Sequence, residues 1–363
     1  MKISLLDLQL QYASLQTELE TTVLKVMRET RYILGPEVNE LEAAFAKFTG
    51  AKHVITCSSG SDALLLALQA LDIGAGDEVL TTPFTFFATA GAIARLGAKP
   101  VFVDIEPKTF NINPAGIATK ITKRTKAILP VHLFGQCADM DAILKFGLPV
   151  VEDAAQAIGA KYQGRQAGTM GTVGTFSFFP TKNLGGAGDG GALTTNDDQL
   201  AARLRSLRVH GSERRYYHDE IGMNSRLDTL QAAVLLVKLR HLDAWAQARQ
   251  DHAAQYNRRL AGVVETPWCH PDCSHVYNQY TIRTARRDAL REHLIKAGIG
   301  SEIYYPLPLH LQKCFRYLGQ PAGTFPEAER AAAEVVSLPV YPELSAAQID
   351  CVAETVAGFF QSP

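Results

Sequence analysis

Between residue 53 and about residue 210 short apolar runs alternate with helical stretches, and this alternation constrains the fold more than any other feature of the chain. Residues 54–57 read as a buried strand, 61–71 as a helix, 78–81 as a strand and 88–96 as a helix. Strands follow at 100–104, 127–131 and 149–153. A helix is expected near 140–146, and Asn113 before Pro114 marks another helix start. Strands that are apolar on both faces and separated by helices predict an α/β fold with a large, mainly parallel sheet covered by helices. Ligands of such sheets bind at the carboxyl ends of the strands.

The strand pattern stops near 204–209. From Arg226 to about Leu260 runs a helical register longer than an ordinary globular helix, so a bend is expected at 241–243, where the chain passes between domains. A strand at 279–283 and helices at 288–297 and 325–336 predict a smaller C-terminal α+β domain. The expected division is a large domain at 12–242 and a small one at 243–363, with residues 1–11 packed against the small one. A chain of 363 residues exceeds what one hydrophobic core usually holds, which supports two domains. The formal net charge of −1 gives no overall reason to expect nucleic acid or an anionic membrane as partner. The start, Met1-Lys2-Ile3-Ser4-Leu5-Leu6-Asp7, lacks a signal-peptide layout and no run approaches the ~18 apolar residues of a membrane span, so a cytoplasmic location is expected. The six cysteines are mostly scattered, as reduced thiols are. Cys269, His270, Cys273 and His275 crowd metal-ligand types into one short stretch without a second pair at finger-like spacing, and read as a loop with no metal.

The chemistry centres on Phe176-Ser177-Phe178-Phe179-Pro180-Thr181-Lys182-Asn183-Leu184-Gly185-Gly186, where a strand-like aromatic run breaks into a Gly-rich loop at one lysine. Glycines there let backbone approach a bound group and take conformations closed to other residues. A lysine among apolar neighbours has a lowered pKa and a nucleophilic amine able to form a Schiff base. A solvated loop lysine is the bland alternative. Ser58-Ser59-Gly60-Ser61-Asp62 opens a nearly all-apolar helix, so its backbone N–H groups suit a phosphate, although Ser and Asp there are also ordinary caps. Asp153, at a sheet carboxyl edge, either pairs with a cationic ring nitrogen or caps the next helix, and Gln156 lies one turn on. Phe84-Thr85-Phe86-Phe87 offers an aromatic face for a flat heterocycle. A phosphate cradle, an aromatic face, a carboxylate and an amine are the groups a protein supplies to pyridoxal phosphate.

In this order the motifs resemble those of the fold-type-I sugar aminotransferases named after the DegT, DnrJ, EryC1 and StrS proteins, from Tyr32-Ile33-Leu34-Gly35-Pro36 to Ser337-Leu338-Pro339. The resemblance implies that Gly60, Ser61, Asp62 and Ser177 hold the phosphate of pyridoxal 5′-phosphate, and that Phe86 stacks on its ring. Asp153 would pair with the ring nitrogen, Gln156 would touch the phenolic oxygen, and Lys182 would be the covalent anchor and proton carrier. Ile221-Gly222-Met223-Asn224-Ser225-Arg226-Leu227-Asp228 is similar to the family segment that enters the neighbouring subunit's site. It implies a homodimer with shared active sites, Asn224 on the partner's phosphate and Arg226 facing substrate. Tyr304-Tyr305-Pro306-Leu307-Pro308-Leu309-His310 resembles the stretch lying against the nucleotide-sugar, with Tyr304, Tyr305 and His310 as substrate contacts. The implied activity moves an amino group from L-glutamate to a nucleoside-diphosphate-linked keto-sugar, with the 3-keto class favoured over the 4-keto class. Three alternatives stand beside it. A nicotinamide oxidoreductase lacks its Gly-x-Gly-x-x-Gly turn here. A non-catalytic regulator on this fold would have lost the lysine, which is present. A zinc protein rests on the Cys269–His275 cluster alone.

Overall fold

The computed structural model describes residues 2–361. Its strands are β1 His53–Cys57, β2 Glu78–Thr81, β3 Lys99–Phe102, β4 Thr125–Ile128, β5 Val151–Asp153, β6 Lys161–Tyr162, β7 Arg165–Gln166, β8 Val173–Ser177, β9 Gly191–Thr195, β10 Cys273–Ser274, β11 Tyr280–Arg283 and β12 Val335–Leu338. The helices are α1 Leu8–Glu29, α2 Pro36–Thr49, α3 Gly60–Ala70, α4 Phe87–Arg95, α5 Met140–Leu144, α6 Asp198–Leu207, α7 Thr229–Leu239, α8 Leu242–Arg259, α9 Arg287–Lys296, α10 Pro326–Glu334 and α11 Ala346–Gln361.

Two strand sets, β1-β9-β8-β5 and β3-β2-β4, meet through parallel bridges between Ile128 and Val150 and between Val131 and Asp153. Regular pairing lapses between the bridges, where Pro130 has no N–H to give. Side chains alternate faces along each strand, so Val54, Leu80, Ile128 and Ala192 enter one core while Ile55, Val79, Ala127 and Leu193 enter the other. The first core packs under α2 and α7, the second under α3 and α6. The sheet is therefore sealed on both sides, and only its strand ends can be reached.

The parallel expectation fails at β9, which runs antiparallel to both β1 and β8. The glycine loop that joins β8 to β9 holds no crossover helix, and the chain turns back. The helix expected at 325–336 ends at Glu334, because Val335 and Val336 are β-branched and pair with β11 as strand β12. Asn113 does cap, accepting from Ala115 N, but over a single 3-10 turn, Pro114–Gly116. The long register of 226–260 divides into α7 and α8 at Arg240 and His241. A third core joins Ile3 to Tyr256, Tyr280, Leu290, Val336 and Val352. Among the described residues no helix is long and apolar enough to cross a membrane.

Candidate active site

The carboxyl ends of β5 and β8, the start of α3 and the loop after β8 converge on one cleft. β5 delivers Asp153, which is buried and accepts from Thr89 Oγ1 (2.8 Å) and from Ala155 N (3.2 Å). Burial raises its pKa, while those two donors and the charge of Lys182 act against the rise. Thr89 lies on the first turn of α4, directly after Phe86, and is itself held by Thr85 Oγ1 at 3.0 Å. Phe86 is 57% exposed although apolar, with the Tyr305 ring centroid 6.1 Å away, so its face is available to a flat ligand.

Lys182 follows β8 and is half-buried. Desolvation by the walls around it lowers its pKa to about 8, and the carboxylate of Asp153 opposes that fall. Among the described residues no side chain accepts a hydrogen bond from its amine, which is left free to react. The loop beyond it is pinned: Lys238 Nζ donates to Gly185 O (2.8 Å) and Ala187 N donates to Gln231 Oε1 (2.8 Å). The special conformations expected of the glycines are not used, since none of Gly185, Gly186, Gly188, Gly190 and Gly191 has a positive φ. They are small for lack of room: a Cβ on Gly185 would sit 2.3 Å from Pro180 O, and one on Gly191 2.5 Å from Ser59 O.

Ser59 caps α3 by accepting from Asp62 N (3.1 Å), so Gly60 and Ser61 hold the first free N–H groups of the helix. A Cβ on Gly60 would lie 2.6 Å from Ser177 Cβ, which puts Ser177 against the same N–H groups. Gly60, Ser61 and Ser177 thus lie together at the start of α3 as a candidate anion cradle. Asp62 does not share it. Its carboxylate accepts from Ser58 Oγ (2.5 Å) and Ser225 Oγ (2.9 Å), tying the cradle to the segment of Asn224 and Arg226. Gln156 accepts from Phe134 N (2.7 Å) and donates to Tyr305 OH (3.0 Å), keeping one amide N–H for a ligand.

The remaining expected residues divide. Tyr304 and Tyr305 stand at the cleft, half-buried. Asn224 is exposed and Arg226 half-buried, with Arg226 Nε shielded and without a partner among the described residues. His310 departs from expectation: it is 1% exposed, with its ring 4.8 Å from that of Phe325 and Nε2 3.1 Å from Glu329 Oε1, so no edge faces the cleft. The stiff prolines beside it fix a buried turn. In the Cys269–His275 loop, His275 stacks on Tyr277 at 4.0 Å and accepts from Tyr277 N through Nδ1. Sequence reasoning missed Thr89, whose only signal was a polar side chain on an otherwise apolar helix face. It also missed Glu152 and His132, which support Asp153 from behind.

The sequence pattern of the DegT/DnrJ/EryC1/StrS aminotransferase family matches residues 13–357. The chain belongs to this family. A pleiotropic regulatory protein of Geobacillus stearothermophilus is 54% identical, with 99% of each chain covered. The UDP-2-acetamido-2-deoxy-3-oxo-D-glucuronate aminotransferase of Pseudomonas aeruginosa is 46% identical over 96% of this chain and 98% of its own. Among solved structures, S. venezuelae DesV in complex with a ketimine intermediate superposes with a TM-score of 0.97 at 43% identity, covering 100% of this chain and 99% of that one. The fold is thus that of the aminotransferases in this family.

Proposed function

We propose that the chain is a pyridoxal-phosphate-dependent aminotransferase that moves an amino group from an amino acid, L-glutamate by preference, to a nucleotide-linked 3-keto sugar. The observation that carries it is the pairing of a free, pKa-depressed Lys182 amine with buried Asp153 across a cleft that also holds an anion cradle. These residues fit the cofactor. Gly60 and Ser61 N–H with the Ser177 hydroxyl would hold its phosphate, Phe86 would cover one ring face, and the spare Gln156 N–H would meet its phenolic oxygen. When bound, pyridoxal phosphate supplies the electron sink that makes the α-proton of an attached amine labile.

The chain's own part is positioning and proton handling. Thr89 and Ala155 donate to Asp153 and oppose the rise in pKa that burial causes, and a cationic nitrogen beside it would draw that pKa down further. Lys182 Nζ, with a pKa of about 8, would take the α-proton and return it to the carbon on the other side of the amine nitrogen. Tyr304 and Tyr305 offer rings and hydroxyls to the sugar nucleotide, and Arg226 a charge to the substrate. The 3-keto preference leans on the 3-oxo substrate in the name of the Pseudomonas relative. Exposed apolar residues Leu10, Leu24, Met27, Ile33 and Ile221 support a homodimer in which Asn224 and Arg226 complete the partner's site. The third core, built from Ile3 and residues beyond 252, supports the division at 242/243.

The test is borohydride trapping followed by peptide mapping, with Lys182→Ala as control. A cofactor fixed on Lys182, and transfer lost in Lys182→Ala, are expected; native-rate transfer by Lys182→Ala would falsify the reading. A panel of 3-keto and 4-keto nucleotide sugars decides the position. The regulatory name of the 54% relative favours a second reading, a regulator on this fold. That reading predicts no turnover with any member of the panel, and the intact lysine and carboxylate stand against it.

A further inference from the structure

Beside the cleft lies a cavity of about 100 Å³ bordered by Arg249, Thr181, Asn278, Gln279, Tyr304 and Leu6. Thr181 precedes Lys182 and Tyr304 precedes Tyr305 in the chain, so the cavity adjoins the site already described. Arg249 reaches it from α8 and is 4% exposed. Its Nη1 donates to Tyr277 O (3.1 Å) and Val340 O (2.6 Å), and its other N–H groups meet no acceptor among the described residues. No described carboxylate ion-pairs with it, Glu343 acting only through space, and burial lowers its pKa to about 10. A buried guanidinium with N–H groups to spare calls for an anion.

Two side-chain oxygens nearby also lack partners, Asn278 Oδ1 and Gln279 Oε1, but both are sealed off from the cavity. The orientation of Asn278 follows from its neighbours. Asn183 Nδ2 donates to Val276 O (2.9 Å), so Asn183 Oδ1 accepts from Asn278 Nδ2 (2.8 Å) and Asn278 Oδ1 is the atom left over. A buried cation on one wall complements a carboxylate, the group that heads every α-amino acid. The space has room for such a head.

We propose that this cavity receives the carboxylate end of the amino donor, with Arg249 as its anion-binding residue. The assignment of the ligand as donor rests on the aminotransferase reading; the site itself does not. The probe is L-glutamate, added to borohydride-treated protein so that binding is read without turnover. L-Glutamate should raise the melting temperature of the wild type and leave Arg249→Met unmoved. In the untreated enzyme, Arg249→Met should raise the donor KM about 30-fold or more, as loss of one partner of a buried charge pair does, with kcat within about threefold. Leu6→Trp fills the cavity while sparing both carbonyl bonds of Arg249, and should lose the glutamate effect too, which keeps the test decisive if Arg249→Met does not fold. Absence of protection in the wild type, equal protection in the variants, or a loss in kcat equal to that in KM overturns the proposal. If no cofactor is trapped on Lys182 yet glutamate still protects only the wild type, the cavity stands and the aminotransferase reading falls.

Discussion

At the end of β5 two adjacent carboxylates face opposite ways and meet opposite fates. Glu152 is 0% exposed and accepts four hydrogen bonds, from His132 Nε2 (2.8 Å), Gly168 N (2.8 Å), Met170 N (2.6 Å) and Gly171 N (2.5 Å). His132 Nδ1 accepts from Ala138 N (3.1 Å), so its proton sits on Nε2 and points at Glu152. Asp153, one residue on, has two donors and a raised pKa. A buried charge with every lone pair filled is framework, and one left half-filled beside a cleft is chemistry. The backbone joins the two, because His132 N donates to Asp153 O at 2.9 Å.

The sharpest break of this contrast is Asp153→Asn. Steady-state transfer should fall about 10²–10³-fold, as when a preorganised electrostatic partner is removed. Chemical denaturation of cofactor-free protein should show no loss of stability. The sign follows from burial: a carboxyl whose folded pKa is raised loses stability as pH climbs above its unfolded value, and the amide removes that cost. Glu152→Gln should do the reverse, losing about 3–5 kcal/mol of stability because the new NH₂ faces backbone donors. Its activity per folded molecule should stay near that of the parent.

Thr89→Val removes one of the two donors on Asp153 and should cost about 1 kcal/mol of transition-state stabilisation, a few-fold in rate. Because Thr89 holds that pKa down, the acid limb of the pH–rate profile should move to higher pH. The smallest effect concerns Lys182. In cofactor-free protein its capture of an aldehyde, trapped by borohydride, should rise with pH and reach half its maximum near pH 8. The unfolded chain binds more protons between about 8 and the ordinary lysine value, so stability should also climb across that window.

What the sequence made legible was local. Lys182, Asp153 and the Gly60–Ser61 helix start all stand where an apolar run breaks, and each such break is visible within ten residues. The antiparallel course of β9 was not visible, since Gly191-Ala192-Leu193-Thr194-Thr195 reads alike in either direction. The bonds of Asp62 and Ser58 to Ser225 could not be read either, because those partners lie 163 and 167 residues away. His310 misled because a histidine between prolines looks the same in a binding loop and in a buried turn. Arg249 was hidden for a related reason: α8 is rich in polar residues, and nothing local marks which of them turns inward.

The close fit of Gly191 against Ser59 has a consequence for how the chain reaches its native state. Gly60 and Gly191 are far apart in sequence, and Ser177 and Ser225 must also arrive before the cradle closes. Such non-local pairings are slow to form, because loop-closure entropy is spent before any contact repays it. Closure of the cradle at α3 therefore registers completion of the topology, and a nascent chain halted short of β9 would carry the Ser58–Asp62 motif without the pocket.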